Sequence, residues 1–467
     1  MTRSATPSVD VLLLRADTLR RSLSGNFRDQ LVQVLYGDAE SIARRAVKPV
    51  GSRRWDWDQR LDRLVTSPIF GLPLMLVVLA AIFWLTVTGA NIPSQWIATA
   101  LFWIEDQASA LFTAWGAPWW ITGFLWHGTY RGLAWVVAVM LPPMAIFFPC
   151  FTILEDLGYL PRVAFNLDWL FKKAGAHGKQ SLTMSMGFGC NAAGVIACRV
   201  IDSPRERLIA ILTNNFVPCN GRFPTLILLA TVFVAAAFPP AFASVAAAGS
   251  VVMVVVIGVL FTLVVSALLS RTVLKGEASV FTLELPPYRR PNISRILYTS
   301  LIDRTIFVLW RALQTAAPAG AAIWILGNTV IGGQSLAQHI ANFLQPLGHL
   351  IGLDGVILLA YIIAIPANEI VVPTMLMTYL GIGMMTGPEA FADLRGLLVG
   401  QHGWTMLTAV NLMLFSLLHN PCATTIITTW KETRSVKWTT VGALMPLGLA
   451  FLVTFVTAAV ARLLGWA

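Results

Sequence analysis

The chain has 467 residues, of which 56% are hydrophobic and 12% charged, with a formal net charge of +10 and a mean hydropathy of +0.70. Soluble domains of ordinary size cannot bury that much apolar surface, so the composition specifies an integral membrane protein. No alternating strand pattern suggests a barrel, no aromatic-plus-basic array suggests base stacking, and the excess Lys and Arg speaks for cytoplasmic loops and anionic lipid rather than nucleic acid.

Residues 1–67 form a short basic segment with Arg15, Arg20, Arg21, Arg28, Arg44, Arg45, Lys48, Arg53 and Arg54, and an amphipathic run from Leu31 to Ala46. The segment lacks the apolar core and small-residue cleavage site of a secretory signal, so the N-terminus is expected in the cytoplasm, and its plain reading is a positive-inside anchor. Residues 68–130 read as a first span, Phe70 to Thr88, followed by interfacial helices outside the bilayer. Trp103, Trp115, Trp119, Trp120 and Trp126 crowd that second part, which has almost no Lys or Arg. Leu133 to Leu154 then returns inward, ending at Glu155 and Asp156 ahead of Arg162, Lys172, Lys173 and Lys179.

Residues 131–270 hold the first of two repeats. Ser181 to Ala197 has Lys179 on one side and Arg199, Arg205 and Arg207 on the other. Positive charge marks the same face at both ends, so the segment should enter and come back as a re-entrant hairpin interrupted at Gly187 and Gly189. Leu208 to Phe238 is too long for one ordinary span and is broken from Pro218 through Gly221 to Pro224. Val251 to Leu269 leads to a basic cytoplasmic loop over 271–304. Residues 305–437 run the plan upside down. Ile306 to Leu326 crosses outward, Val356 to Leu380 is a second re-entrant pair interrupted at Pro366 to Glu369, and Trp404 to Trp430 is broken from His419 to Pro421. A final span lies in 438–467. The expected fold is all-α, a polytopic helical membrane protein with two inverted repeats containing re-entrant hairpins and broken helices, the logic of many transporters.

The chemistry should sit at the breaks. Cys190, Cys219 and Cys422 each stand beside an asparagine or a proline, with Asn191 and Asn220 adjoining the first two. Sulfur, amide and freed carbonyl oxygens suit a borderline-soft ion such as Fe(II), while the competing reading makes each cysteine a small buried hydrophobe. Five cysteines make no disulfide framework, and Cys150 and Cys198, away from the breaks, read as packing residues. Glu369 lies in an apolar run, where a carboxylate is functional by default; the alternative is a structural partner for an arginine or a helix start. Glu155 and Asp156 are placed at the inner mouth, as a solvated edge or a cation-recruiting pair. Met184 and Met186 read as packing residues. His127, His402 and His419 lack ligand spacing, and only His419 adjoins a break. Gly175 to Gln180 has neither the spacing nor the Ser/Thr of a phosphate-binding loop, so no nucleotide site and no enzyme activity are expected.

Several runs together carry a family likeness: Leu154-Glu155-Asp156-Leu157-Gly158-Tyr159-Leu160-Pro161-Arg162, Gly187-Phe188-Gly189-Cys190-Asn191, Pro218-Cys219-Asn220-Gly221-Arg222-Phe223-Pro224, Leu274-Lys275-Gly276-Glu277 and Glu284-Leu285-Pro286-Pro287-Tyr288-Arg289. In that order they resemble the membrane domain of FeoB-type ferrous iron transporters, from about Asp62 to the C-terminal region. The resemblance implies two inverted gate-like repeats, Fe(II) carried across the bacterial inner membrane with no permanently bound cofactor, and path cysteines at Cys190, Cys219 and Cys422. Because such proteins carry an N-terminal G-protein domain where this chain has a short charged segment, a separate GTPase is expected as partner. Small accessory proteins, membrane lipid, the divalent metal and further copies of the chain complete the expected set. The chain departs from the family pattern at Asn368-Glu369, where a Lys-Glu pair is usual, at Asn191-Ala192-Ala193 and at Pro218-Cys219-Asn220. An organic-solute permease of nucleoside type and a non-transporting scaffold for a GTPase are the competing expectations.

Overall fold

The computed structural model describes residues 15, 18, 27–46, 57–67, 69–275, 288, 289, 291–385 and 394–465. Arg20, Arg21, Lys48, Arg53, Arg54 and Arg290, and the motif residues Gly276, Glu277 and Glu284 to Pro287, lie outside that set. The chain divides into two compact units, one of residues 1–61 with 279–284 and one of 62–278 with 285–467. In the first, the described helix is α1 (Phe27–Ala46). All that follows concerns the second.

After α2 (Trp57–Val65) comes α3 (Gly71–Ala114), a single helix of 44 residues. At 1.5 Å per residue it is about 66 Å long, twice the hydrocarbon core. The first span was expected to end at Thr88 and to give way to separate interfacial helices; instead the helix runs on, with Pro93 inside it. Glu105, 1% exposed, lies 2.7 Å from His127 Nδ1 and 3.0 Å from Arg131 Nη1, so the far half of α3 is tied to the next helix by a partly buried ion pair. That helix, α4 (Trp119–Asp156), is continuous through the Trp-rich stretch, with a π-helical turn at Gly123–Tyr130 and Pro142, Pro143 and Pro149 within it.

Two matching sets follow. In the first, the amphipathic α5 (Tyr159–Lys173) precedes the hairpin of α6 (Gln180–Gly189) and α7 (Asn191–Ala197). The broken crossing is α8 (Pro204–Thr213) with α9 (Phe223–Leu229), and the long α10 (Pro240–Arg271) closes the set. In the second, α11 (Phe307–Asn328) takes the place of α4 and the amphipathic α12 (Leu336–Leu350) that of α5. The hairpin is α13 (Gly355–Ile363) with α14 (Val371–Leu380), the broken crossing α15 (Met406–Leu418) with α16 (Ala423–Thr433), and α17 (Val436–Leu463) closes. Side-chain caps fix where five of these begin: Ser203 accepts from Glu206 N, Ser335 from Gln338 N, Asp354 from Ile357 N, Thr405 from Thr408 N and Ser435 from Trp438 N.

Among the described residues six helices are long and apolar enough to cross a membrane, and the pair α12–α13 is bent by 111°. The leading helices of the two sets cross through glycines. A Cβ on Gly320 would lie 2.5 Å from Gly128 O and 3.0 Å from Gly132 Cα. Such close backbone approach is how helices associate where lipid gives no hydrophobic drive.

Candidate functional site

Four interruptions of helix meet in the middle of the second unit. Cys190 is extended (φ −155°, ψ 125°) between α6 and α7, and Cys219 (φ −82°, ψ 169°) precedes the turn into α9. Ala367 (φ −152°, ψ 115°) precedes the turn into α14, and Cys422 (φ −64°, ψ 159°) starts α16. Cys190 and Cys422 are thus the N-caps of α7 and α16, while Cys219 and Ala367 precede short 3-10 turns that lead into α9 and α14.

The same breaks free carbonyls, which at membrane depth must find donors within the protein. Arg222, 1% exposed, supplies most of them. Its guanidinium donates to Asn215 O (2.8 Å), Leu417 O (2.8 Å), Asn215 Oδ1 (3.1 Å), His419 O (3.2 Å) and Asn420 O (3.4 Å). One arginine from the first set therefore caps the C-terminal ends of α8 and α15 together, and the partial negative charge of those ends faces the buried cation. Asn215 Nδ2 adds a bond to His419 O (2.7 Å), Asn214 Nδ2 one to Asn191 O (3.0 Å), Thr315 Oγ1 one to Pro366 O (3.2 Å), and Ala423 N one to Ile365 O (2.8 Å). Asn191, with its amide nitrogen turned to Gly187 O (3.1 Å) and Val217 O (3.2 Å), spans both breaks of the first set.

Around these groups lies a chamber of about 30 Å³, lined by Cys190, Cys219 and Cys422, by Asn191, Asn368, Glu369 and Thr424, and by Gly189, Gly221, Pro366 and Ala367, with Met140 and Ala312 from the leading helices. That volume admits a water or two, or one ion. Two glycines are required by close approach. A Cβ on Gly221 would collide with Glu369 Oε1, and one on Gly189 would lie 2.8 Å from the rings of Phe147 and Phe148. Glu369 also faces a larger cavity of about 370 Å³ whose polar lining comes from Thr86, Asn91 and Ser94 of α3 with Asn220 and Thr231. Glu369 lines both spaces.

The structure thus brings Cys190, Asn191, Cys219, Cys422, Glu369, Gly189, Gly221 and Pro366 to one place, and sets Asn220 in the adjoining cavity. Gly187 instead packs on the Asn214 amide, 3.0 Å from its Oδ1 to a built Cβ. Pro218 and Pro421 shape the breaks without lining the chamber. Glu155 and Asp156 are exposed at the end of α4, with Asn292 N 3.4 Å from Asp156 Oδ2, and line neither cavity. Among the described residues no group of three His, Cys, Asp or Glu side chains is drawn together tightly enough to hold a metal ion. The donors surround a space without closing into a chelate. Sequence reasoning did not assign Arg222, Asn215 or Thr315 a role; the signal available was a lone arginine in an apolar crossing, which must answer freed carbonyls or a carboxylate.

Comparison with known proteins agrees with this arrangement. A family profile described as Gate, "Nucleoside recognition", matches residues 137–233 and 309–435, each stretch containing one pair of breaks. A second, "Ferrous iron transport protein B C terminus", matches 251–303. The Fe(2+) transporter FeoB of Staphylococcus aureus is 29% identical over 412 residues, covering 86% of this chain and 58% of that protein. That of Synechocystis sp. is 28% identical over 413 residues, covering 87% and 63%. The Fe(2+) transport protein A/Fe(2+) transporter FeoB fusion protein of Porphyromonas gingivalis is 25% identical over 490 residues, covering 94% and 55%. The chain spans less than two thirds of the length of these relatives. No solved structure matches it.

Proposed function

We propose that this chain, whose membrane region belongs to the FeoB family, passes ferrous iron or a related divalent metal across the bilayer through the chamber where its two sets of broken helices meet. The observation that carries the reading is the convergence of Cys190, Cys219, Cys422 and Glu369, from four separate breaks, on a space of about 30 Å³. Thiol, carboxylate and amide groups suit a borderline-soft ion, and donors that ring a space without chelating it let the ion leave again. The relatives named as Fe(2+) transporters support the choice of metal.

Metal is pictured entering the larger cavity beside Asn91 and Ser94, losing water at Asn220 and Glu369, and meeting the sulfurs in turn. Exit toward Glu155 and Asp156 fits the exposed position of that pair at the end of α4. The setting proposed is the bacterial inner membrane with the N-terminus in the cytoplasm, and the partner proposed as energy source is a GTPase. The fusion of transport protein A to a relative supports small accessory partners.

A second reading is favoured by the words of the Gate profile: an organic solute of nucleoside type. Such ligands occupy pockets of roughly 300 Å³ or more, so a solute of that size would sit in the adjoining cavity of about 370 Å³ and not among the sulfurs of the chamber. Proteoliposomes containing this chain decide between them. The expected result is uptake of radiolabelled Fe(II) that falls in Cys190→Ser and Cys219→Ser; nucleoside uptake that is unchanged by both substitutions, with no Fe(II) uptake, would overturn the proposal.

A further inference from the structure

We infer that His419 is a further donor to the transported metal, held behind Asn368 in this structure; the inference rests on the proposed passage of a divalent ion through the chamber. His419 is 2% exposed and sits in the break between α15 and α16. Its Nδ1 is 2.8 Å from Ser416 O and its Nε2 is 3.3 Å from Asn368 Oδ1. A neutral imidazole has one N–H. The shorter contact, to a carbonyl that can only accept, takes it, and Nε2 is left with its lone pair turned to Asn368.

Asn368 is a wall residue of the chamber, next to Glu369. With its oxygen toward Nε2 two acceptors face each other; with its nitrogen there the amide makes one long hydrogen bond. In both cases turning the Asn368 side chain alone exposes an sp² nitrogen lone pair on the chamber side. The ring itself is fixed. Tyr361 packs edge-on at 4.7 Å between centroids and Phe415 lies nearly parallel at 6.1 Å, while the His419 carbonyl is held by Asn215 and Arg222. One ring nitrogen anchored on a backbone carbonyl and the other offered to an ion is the arrangement by which proteins orient histidine for metal.

Adding imidazole to the sulfur of Cys422 and the carboxylate of Glu369 gives a mixed nitrogen, sulfur and oxygen set. Such a set favours Fe(II), Co(II) and Zn(II) over Mn(II) and Mg(II). When the ion passes, Asn368 turns aside and the ring adds one donor to the open set, without closing it into a chelate.

X-ray absorption of Co(II) bound to the full chain in detergent tests this. The wild type is expected to show a sulfur shell together with the outer-shell scattering of an imidazole. In His419→Gln the imidazole scattering disappears, the sulfur shell stays, and Co(II) affinity drops about tenfold or more. Asn368→Ala keeps the ring and uncovers it, so imidazole scattering persists and Co(II) binds several-fold more tightly. A sulfur shell without imidazole, imidazole scattering that survives His419→Gln, or unchanged Co(II) affinity in Asn368→Ala would overturn the inference while leaving the chamber standing. Absence of any sulfur shell would overturn both, and so identifies the failure of the underlying reading.

Discussion

In the first set of broken helices, cysteine occupies both breaks, at Cys190 and Cys219, glycine flanks them, and the buried charge beside them is Arg222. In the second set the breaks carry one cysteine, Cys422, and the acidic and basic side chains Glu369 and His419. The backbone plan is shared and the chemistry is divided. Arg222 spends its donors largely on carbonyls of the second set, and Glu369 rests over Gly221 of the first. Neither set is complete alone, so the site exists only where they meet.

The largest effect should come from breaking that exchange. Arg222→Met leaves the carbonyls of Asn215 and Leu417 without this donor and that of His419 with Asn215 Nδ2 alone, and each buried carbonyl left unsatisfied costs about 1–3 kcal/mol. Thermal melting in detergent should show a fold that is lost or much less stable. Arg222→Lys should fall between, because a point charge cannot replace the fork. Melting of Arg222→Met at the wild-type temperature would mean the two sets do not depend on each other.

Gly221→Ala should cost about 1–3 kcal/mol, as overpacking does in a dense core, because its Cβ meets Glu369 Oε1. Glu369→Ala should relieve it, giving a coupling of about 0.5–3 kcal/mol in a double-mutant cycle of stability; strict additivity would separate the two residues. Substituting serine at Cys190, Cys219 or Cys422 should slow Fe(II) uptake about tenfold, roughly 1.4 kcal/mol in the barrier. Cys150→Ser and Cys198→Ser should leave uptake near wild type, since neither lines the chamber and Cys198 packs in a separate apolar cluster with Val195 and Ile201.

The smallest effect concerns how each hairpin is entered. The second is led by the Asp354 cap, the first by a turn in which His177 Nδ1 accepts from Lys179 N at 3.0 Å. Burial pushes the His177 imidazole below its ordinary 6.5, against an opposing pull from Glu206 and with a smaller push from Lys179. The folded state therefore favours the neutral ring. That contribution is complete above pH 6.5 and is lost as pH falls through the lowered value. Hydrogen-exchange protection of the α5–α6 turn, taken relative to the intrinsic amide rate at each pH, should fall on acidification in the wild type and lose that dependence in His177→Gln.

Much of this was legible in the sequence, for a physical reason. Gly189-Cys190-Asn191 and Pro366-Ala367-Asn368 set small and polar residues beside glycine or proline in apolar sequence, which marks a break more surely than the prolines alone that α3 and α4 absorb. What escaped was what the breaks need. Arg222 was visible as part of a motif, yet its partners are carbonyls almost 200 positions away, at Leu417 and His419, and backbone acceptors leave no mark in a sequence. The length of α3 escaped for a related reason. The Trp-rich stretch with almost no Lys or Arg read as separate interfacial helices, but Glu105 is paired with His127 and Arg131 across helices, a contact between distant positions that the sequence does not mark.

The central claim is that sulfur from both sets of broken helices faces one chamber. A chain carrying Cys150→Ser and Cys198→Ser, leaving Cys190, Cys219 and Cys422, should be treated in membranes with a short fluorogenic linker bearing two thiol-alkylating groups and its fragments analysed by mass. The account predicts a covalent bridge between Cys422 and either Cys190 or Cys219, suppressed by prior addition of Co(II). Separate labelling of the three thiols with no bridge between the two halves of the chain would contradict it.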